Sequence, residues 1–142
     1  MRVCICGPRD FEDYDELLKA IDASGFSITE VVSGGASGVD SLGEDYATEH
    51  NIPVKVFKPD WNNINVPGAK IKTNSWGKEY NVLAGFMRNS DMVEYADAVI
   101  AIDTGSSGTG DTIEKAEKAG LYLYKHTPGL EGVVEAGEDI PF

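Results

Sequence analysis

Two glycine-rich stretches carry the residue types best suited to holding an anion. "SGGASGVD", from Ser33 to Asp40, places Gly34, Gly35 and Gly38 directly after an apolar run. "GSSGTGD", from Gly105 to Asp111, follows another apolar run and adds the hydroxyls of Ser106, Ser107 and Thr109. Glycine lets backbone N–H groups approach a phosphate, and a helix that begins at the end of such a loop turns its positive end toward it. The first stretch is G-G-x-x-G, not the dinucleotide fingerprint G-x-G-x-x-G, and no Walker lysine follows. Alone it reads as a tight turn into a helix.

Two donor-rich loops at neighbouring strand ends read differently, as a cradle for one phosphorylated ligand. The backbone donors of Gly34, Gly35, Ala36 and Gly38 would act with Ser106, Ser107, Gly108 and Thr109. The simpler alternative is that Ser107 or Thr109 only caps its helix. Arg88, in "MRNSDM", and Arg9, after the first strand, are the cations to fork onto a phosphate or carboxylate. Asp40 would accept N–H groups of the first loop or bind a ribose hydroxyl, and Trp61 or Trp76 would stack on a base. Gly7, Ser33, Asp60, Asn89 and Thr112 complete the candidate ligand-binding set.

These residues need a scaffold, and the chain alternates strand-like and helix-like patterns throughout. "RVCIC" opens as a buried strand. "DFEDYDELLKAIDAS" spaces Tyr14, Leu17, Leu18 and Ile21 along one helical face, with acids in its first turn and Gly25 as its stop. "SITEVVSGG", "IPVKVF", "DAVIAI" and "LYLYK" read as the remaining strands. "VDSLGEDYATEH", "KEYNVLAGFMRNSDMVEYA" and "GTGDTIEKAEKAG" read as helices, the second with Tyr80, Leu83, Ala84 and Met87 on one stripe. Apolar, non-alternating strands joined by helices imply a parallel sheet covered on both faces. The expected fold is a single α/β Rossmann-like, doubly wound sheet of about five strands in the order 3-2-1-4-5. Ligands of such sheets bind outside the carboxyl ends of the strands, where "GPRD", "SGGASGVD", "PDW" and "DTGSSGTGD" all fall.

The domain is expected to span residues 1–126. A lid-like insertion at 60–78 carries both tryptophans with Lys70 and Lys72, and an acidic tail occupies 127–142.

Composition narrows the function class. Twelve basic against 24 acidic residues give a net charge of −12, which argues against nucleic acid as a partner, since that affinity rests on Lys and Arg. It leaves room for one small anion in a local pocket of donors. No stretch approaches the about 20 apolar residues of a membrane span, and "MRVCICGPRD" lacks the long apolar region of a signal peptide. A cytoplasmic protein without membrane contact is expected. Cys4 and Cys6, two apart on a strand, share one face and read as small core residues. With His50 and His126 far away in sequence, neither a metal site nor a cofactor is expected.

"SGGASGVDSLGEDYA", "PDW" and "AGFMRNSDMVEYADAVIAIDTGSSGT", in this order, resemble the SLOG superfamily. This Rossmann-like group contains the Smf-type DNA-processing proteins and the lonely-guy phosphoribohydrolases, and the likeness leans toward the bacterial and phage branch called YAcAr. The resemblance runs from Met1 to about Lys125. It implies a Rossmann-like sheet, a nucleotide or ADP-ribose-like, signalling-type ligand at the glycine loops, and homo-oligomers.

The lonely-guy pattern has R-x-x-x-M, then P-G-G-x-G-T-x-x-E. Arg88 and Met92 keep the first spacing. "DTGSSGT" is one residue longer than the second and lacks the proline, and Thr112 stands at the position of the family's catalytic glutamate. If the chain is an enzyme, the resemblance implies a nucleotide N-glycosidase, with Arg88, Asp111 and Glu114 as catalytic candidates, because such cleavage needs a carboxylate near the sugar. The Smf-type likeness implies single-stranded DNA binding, which the charge of −12 opposes. The leading expectation is therefore a sensor or sequestering protein for a small nucleotide.

Overall fold

The computed structural model describes residues 1–128 and the strand at 133–135. The elements in order are β1 (Arg2–Cys6), α1 (Tyr14–Ser24), β2 (Glu30–Ser33), α2 (Val39–Glu49) and β3 (Val54–Val56). A hairpin of β4 (Ile71–Thr73) and β5 (Glu79–Asn81) follows, then α3 (Ala84–Tyr95), β6 (Ala98–Ile102), α4 (Ser107–Ala119), β7 (Tyr122–His126) and β8 (Val133–Glu135).

The main sheet runs β3-β2-β1-β6-β7-β8. Its first five strands are parallel. With β6 and β7 as the fourth and fifth parallel strands, this is the expected 3-2-1-4-5 order on a Rossmann-like α/β fold. The antiparallel β8, paired with β7, was not anticipated in the tail. The rest of that tail, 129–132 and 136–142, lies outside the described residues.

Strand alternation sorts the core into two layers. Val3, Ile5, Val31, Ile100 and Ile102 face Leu17, Ala20, Ile21, Val39 and Ala47 of α1 and α2. Cys4, Cys6, Val32, Val99 and Ala101 face Met92, Ile113 and Ala116 of α3 and α4. The two cysteines are free and buried on the same face. Every residue of β6 is buried, as a central parallel strand requires. Ile5, Leu17, Ile100 and Leu123 are fully buried, each contributing about 1.5–3 kcal/mol relative to exposure.

Local chemistry sets the helix ends. Asp13 caps α1 by accepting the Glu16 N–H at 3.1 Å, with Asp15 and Glu16 in the first turn. Gly25 and Gly120 close α1 and α4 in the left-handed conformation. No described helix is long and apolar enough to cross a membrane.

One expectation needs correction. The helix read from "KEYNVLAGFMRNSDMVEYA" begins only at Ala84, and Tyr80 lies in β5. Tertiary hydrogen bonds override helical spacing here. Buried Asn81 donates its N–H to the Trp61 carbonyl at 2.8 Å, and its side-chain oxygen accepts from Lys70 and Leu83 N–H at 3.3 and 3.0 Å. Asn81 thereby fastens the base of the hairpin to the loop after β3, and part of the 60–78 insertion becomes β4.

Candidate functional site

Chain order reverses between β1 and β6, the neighbouring central strands from which the sheet winds both ways. The loops after β1, β2 and β6 meet there, at the strands' carboxyl ends.

Gly38 joins the first two loops. A Cβ at this position would stand 2.2 Å from the Pro8 carbonyl oxygen, and its φ is +74°. Only glycine fits so close to a neighbouring backbone. Val39 N–H donates to that same Pro8 oxygen at 3.2 Å, and the Ser37 hydroxyl donates to the Arg9 carbonyl at 3.2 Å.

Behind the loop a buried carboxylate stands beside a half-buried guanidinium. Asp40, in the first turn of α2, accepts the Ala36 N–H at 3.2 Å, which is the loop-orienting role considered for it. The Arg88 guanidinium donates to the Gly34 carbonyl, and a Cβ on Gly34 would come within 2.7 Å of both Arg88 Nη1 and Asp40 Oδ2. Burial raises the Asp40 carboxyl above its ordinary value, against the lowering effects of the Ala36 hydrogen bond and the Arg88 charge. Burial likewise lowers the Arg88 guanidinium; Asp40 opposes that shift and the nearby positive Arg9 adds to it. Ser33 serves the loop from inside, donating its hydroxyl to Glu44 at 2.7 Å and accepting Gly35 N–H at 3.1 Å.

The second loop becomes the start of α4. Ser106 is its N-cap, without a side-chain cap to a backbone N–H, and no acid stands in the first turn. The first intrahelical bond runs from Gly110 N–H to the Ser106 carbonyl at 3.0 Å. The N–H groups of Ser107, Gly108 and Thr109 therefore have no partner within the helix. The Ser106 and Thr109 hydroxyls bond each other at 2.7 Å, and Thr112 donates back to the Gly108 carbonyl at 3.2 Å.

Asn89 ties the two halves together. Its side-chain oxygen accepts Arg88 Nε–H at 2.9 Å, while its amide donates to the Gly108 carbonyl at 3.3 Å and to Asp111 at 3.1 Å. Asp111 also pairs with Lys115 at 2.7 Å, and Lys115 donates to the Phe86 carbonyl at 2.6 Å. Arg88 is thus held by Asn89, itself anchored to α4, at one end and by the first glycine loop at the other.

Two adjoining cavities open onto this arrangement. The larger, of about 430 Å³, is walled by Gly7, Arg9, Ala36, Asp40, Trp61, Arg88, Asn89 and Ser106 to Thr109, with Thr112 and the apolar Pro8, Val82, Phe86 and Met92. The smaller, of about 390 Å³, is walled by Gly34, Gly35, Ala36, Ser37, Arg9, Arg88, Trp61, Lys58 and Pro59. Arg9, Ala36, Trp61 and Arg88 belong to both.

Most of the candidate residues are thereby brought together, with the first glycine loop divided between the cavities. Ser33 and Gly38 support the loop from behind, and exposed Asp60 lines neither cavity. Of the tryptophans, Trp61 lines both cavities, whereas Trp76 stands 90% exposed at the hairpin. Asp111 and Glu114 line neither; Glu114 is paired with Lys118 at 2.8 Å on the exposed side of α4. The carboxylates on the larger cavity are Asp40 and Asp10. Sequence reading missed Asp10, Lys58 and the apolar wall. Only the position of Lys58, just beyond a strand's carboxyl end, could have signalled it. Cys6 also lines the larger cavity, but its thiol is held well above its ordinary value by the hydrogen bond with Cys4 and by burial, which makes it a poor nucleophile.

Comparisons with known proteins agree with this frame. Residues 1–63 match the model of YAcAr, described as the YspA, cpYpsA-related SLOG family. No curated protein matches the chain. Among solved structures, it is similar to DNA processing protein A from Streptococcus pneumoniae, with a TM-score of 0.65 and 18% identity over 87% of this chain. That match spans about half, 49%, of the Streptococcus protein. It is also similar to the structural-genomics target TM1055, with a TM-score of 0.56 and 23% identity over 87% of this chain and 72% of the other. At these identities the two structures speak for the fold. The family match over β1 to β3 and the Rossmann-like topology across the described residues bear out the resemblance to the SLOG superfamily, with the likeness to the YspA, cpYpsA-related family resting on residues 1–63.

Proposed function

We propose that this protein binds a nucleotide-type small molecule, of the ADP-ribose-like class, in the larger cavity. One observation carries the reading: a single cavity is walled at once by Ala36 of the first glycine loop, the open N-terminus of α4, the half-buried Arg88 and an aromatic wall. A phosphate placed on the N–H groups of Ser107, Gly108 and Thr109 meets the positive end of a 13-residue helix that carries no acid in its first turn. Trp61, Phe86 and Met92 offer apolar surface to a base. Asp40 and Asp10 offer acceptors to ribose hydroxyls.

Binding without turnover is the reading that the carboxylates favour. Asp111 and Glu114 are each engaged by a lysine away from the cavity, so neither stands where an oxocarbenium-like charge would develop. A sensor or sequestering role in a bacterial or phage cytoplasm, as a homo-oligomer, follows from the SLOG resemblance, and light scattering tests the oligomer.

The test of function is calorimetric titration with AMP and ADP-ribose, followed by chromatography of the incubated nucleotides. The expected result is saturable binding of at least one nucleotide, recovered unchanged. Cleavage products that disappear in Asp40→Asn would replace the binding reading with a hydrolase. No heat with either nucleotide would end both readings.

A further inference from the structure

The two cavities differ in charge. On the larger one, Arg9 and Arg88 are matched by Asp10 and Asp40. The smaller has Arg9, Lys58 and Arg88 on its wall and no carboxylate. None of these three cations has a carboxylate within ion-pair distance among the described residues. Arg9 and Arg88 are shared with the larger cavity and its carboxylates, so Lys58 is the cation that belongs to the smaller cavity alone, and an anion seated there would meet positive charge with no carboxylate on the wall. The first glycine loop faces the same space. Its Gly35, at φ +71°, lies with its Cα hydrogens against the stem of Lys58, where a Cβ would stand 3.5 Å from Lys58 Cγ. The proximity of Arg9 to Arg88, which adds to the lowering of the Arg88 guanidinium, points the same way.

We propose that the smaller cavity is a second anion compartment, with Lys58 as its binding residue, so that the ligand is a nucleoside bearing phosphate at two separate positions. The proposal rests on the nucleotide reading above and adds a chemical class to it. One phosphate sits at the start of α4 in the larger cavity. The second crosses the partition formed by Arg9, Ala36, Trp61 and Arg88 to reach Lys58 beside Gly35.

Trp61 borders both compartments and provides the readout. The chain has two tryptophans, and Trp76 is exposed, so Trp76→Phe leaves Trp61 as the sole reporter. In that background, Trp61 fluorescence is titrated with AMP and with adenosine 3′,5′-bisphosphate, for native Lys58, Lys58→Ala and Lys58→Arg. Lys58 is exposed, so neither change threatens folding. With native Lys58 the bisphosphate is expected to bind about tenfold tighter than AMP, the scale of one charge-assisted contact. Lys58→Ala should bring that ratio near one, and Lys58→Arg should keep it. Equal affinities with native Lys58, or a ratio that survives Lys58→Ala, overturn the second compartment while the nucleotide reading stands. If neither nucleotide binds, the nucleotide reading falls, and this inference with it. Binding of a single-stranded oligonucleotide in preference to the bisphosphate would overturn the small-ligand class.

Discussion

Replacing Ser107 with aspartate sets binding against folding. Ser107 is exposed, sits in the first turn of α4 and lines the larger cavity. A carboxylate there complements the helix dipole, and since the first turn has no acid of its own, Ser107→Asp should stabilise the fold by about 0.3–1 kcal/mol. For a domain of this size that is a Tm rise of about 1–4 °C. The same carboxylate stands where the phosphate is expected. Two unit charges about 5 Å apart at an effective dielectric of about 20 repel by about 3 kcal/mol. Solvent at this exposed position reduces that to about 1–2 kcal/mol, or a loss of about 5–30-fold in affinity. The assay pairs thermal denaturation with calorimetric titration of AMP. A variant that melts higher and binds at least fivefold weaker fits the reasoning. Unchanged affinity in a folded variant would refute the placement of phosphate at α4.

Other expectations test the supports of the site. Gly38→Ala forces a side chain to positive φ, costing about 1–2 kcal/mol, and drives a Cβ into the Pro8 and Arg9 backbone, for about 1–3 kcal/mol more; urea denaturation should show the sum. Gly110→Ala, whose Cβ would meet nothing within 4 Å, should instead gain about 0.5–1 kcal/mol in the same assay. Asn89→Ala removes the clamp on Arg88, the Gly108 carbonyl and Asp111; it should cost about 1–3 kcal/mol of stability and weaken AMP binding. Asp40→Asn keeps an acceptor for Ala36 N–H and removes a buried charge. The Asp40 carboxyl is raised in the folded state by burial, so its favourable contribution is complete only below the ordinary value of 3.8 and is lost as pH rises through the elevated one. Melting curves should therefore show Asp40→Asn more stable than native protein at pH 7, with the gap closing toward pH 4.

Much of the fold was legible because its signals are local. Runs such as "AVIAI" could only be buried central strands, and Gly25, Gly34, Gly38 and Asp40 mark helix and loop boundaries with residues chosen for backbone reasons. The candidate site was legible to the extent that those loops end on strands of one sheet. What stayed hidden depends on tertiary contacts. Asn81 lends its side chain to Lys70 and Leu83, and no periodicity announces such a bond, so Tyr80 was read into a helix. The short strand Val133–Glu135 carries too little pattern to declare a pairing with β7. Lys58 looked like one more surface lysine. Its proposed role comes from its place beside Arg9 and Arg88 on the smaller cavity, into which Gly34 and Gly35 also face.

The central claim is that a nucleotide phosphate rests on the first turn of α4, and amide chemical shifts report on that turn directly. In a ¹H–¹⁵N correlation spectrum titrated with AMP, the amides of Ser107, Gly108 and Thr109 are predicted to move most, saturating together with the Trp61 indole. Saturable binding that leaves those three amides in place while shifting others would contradict the account.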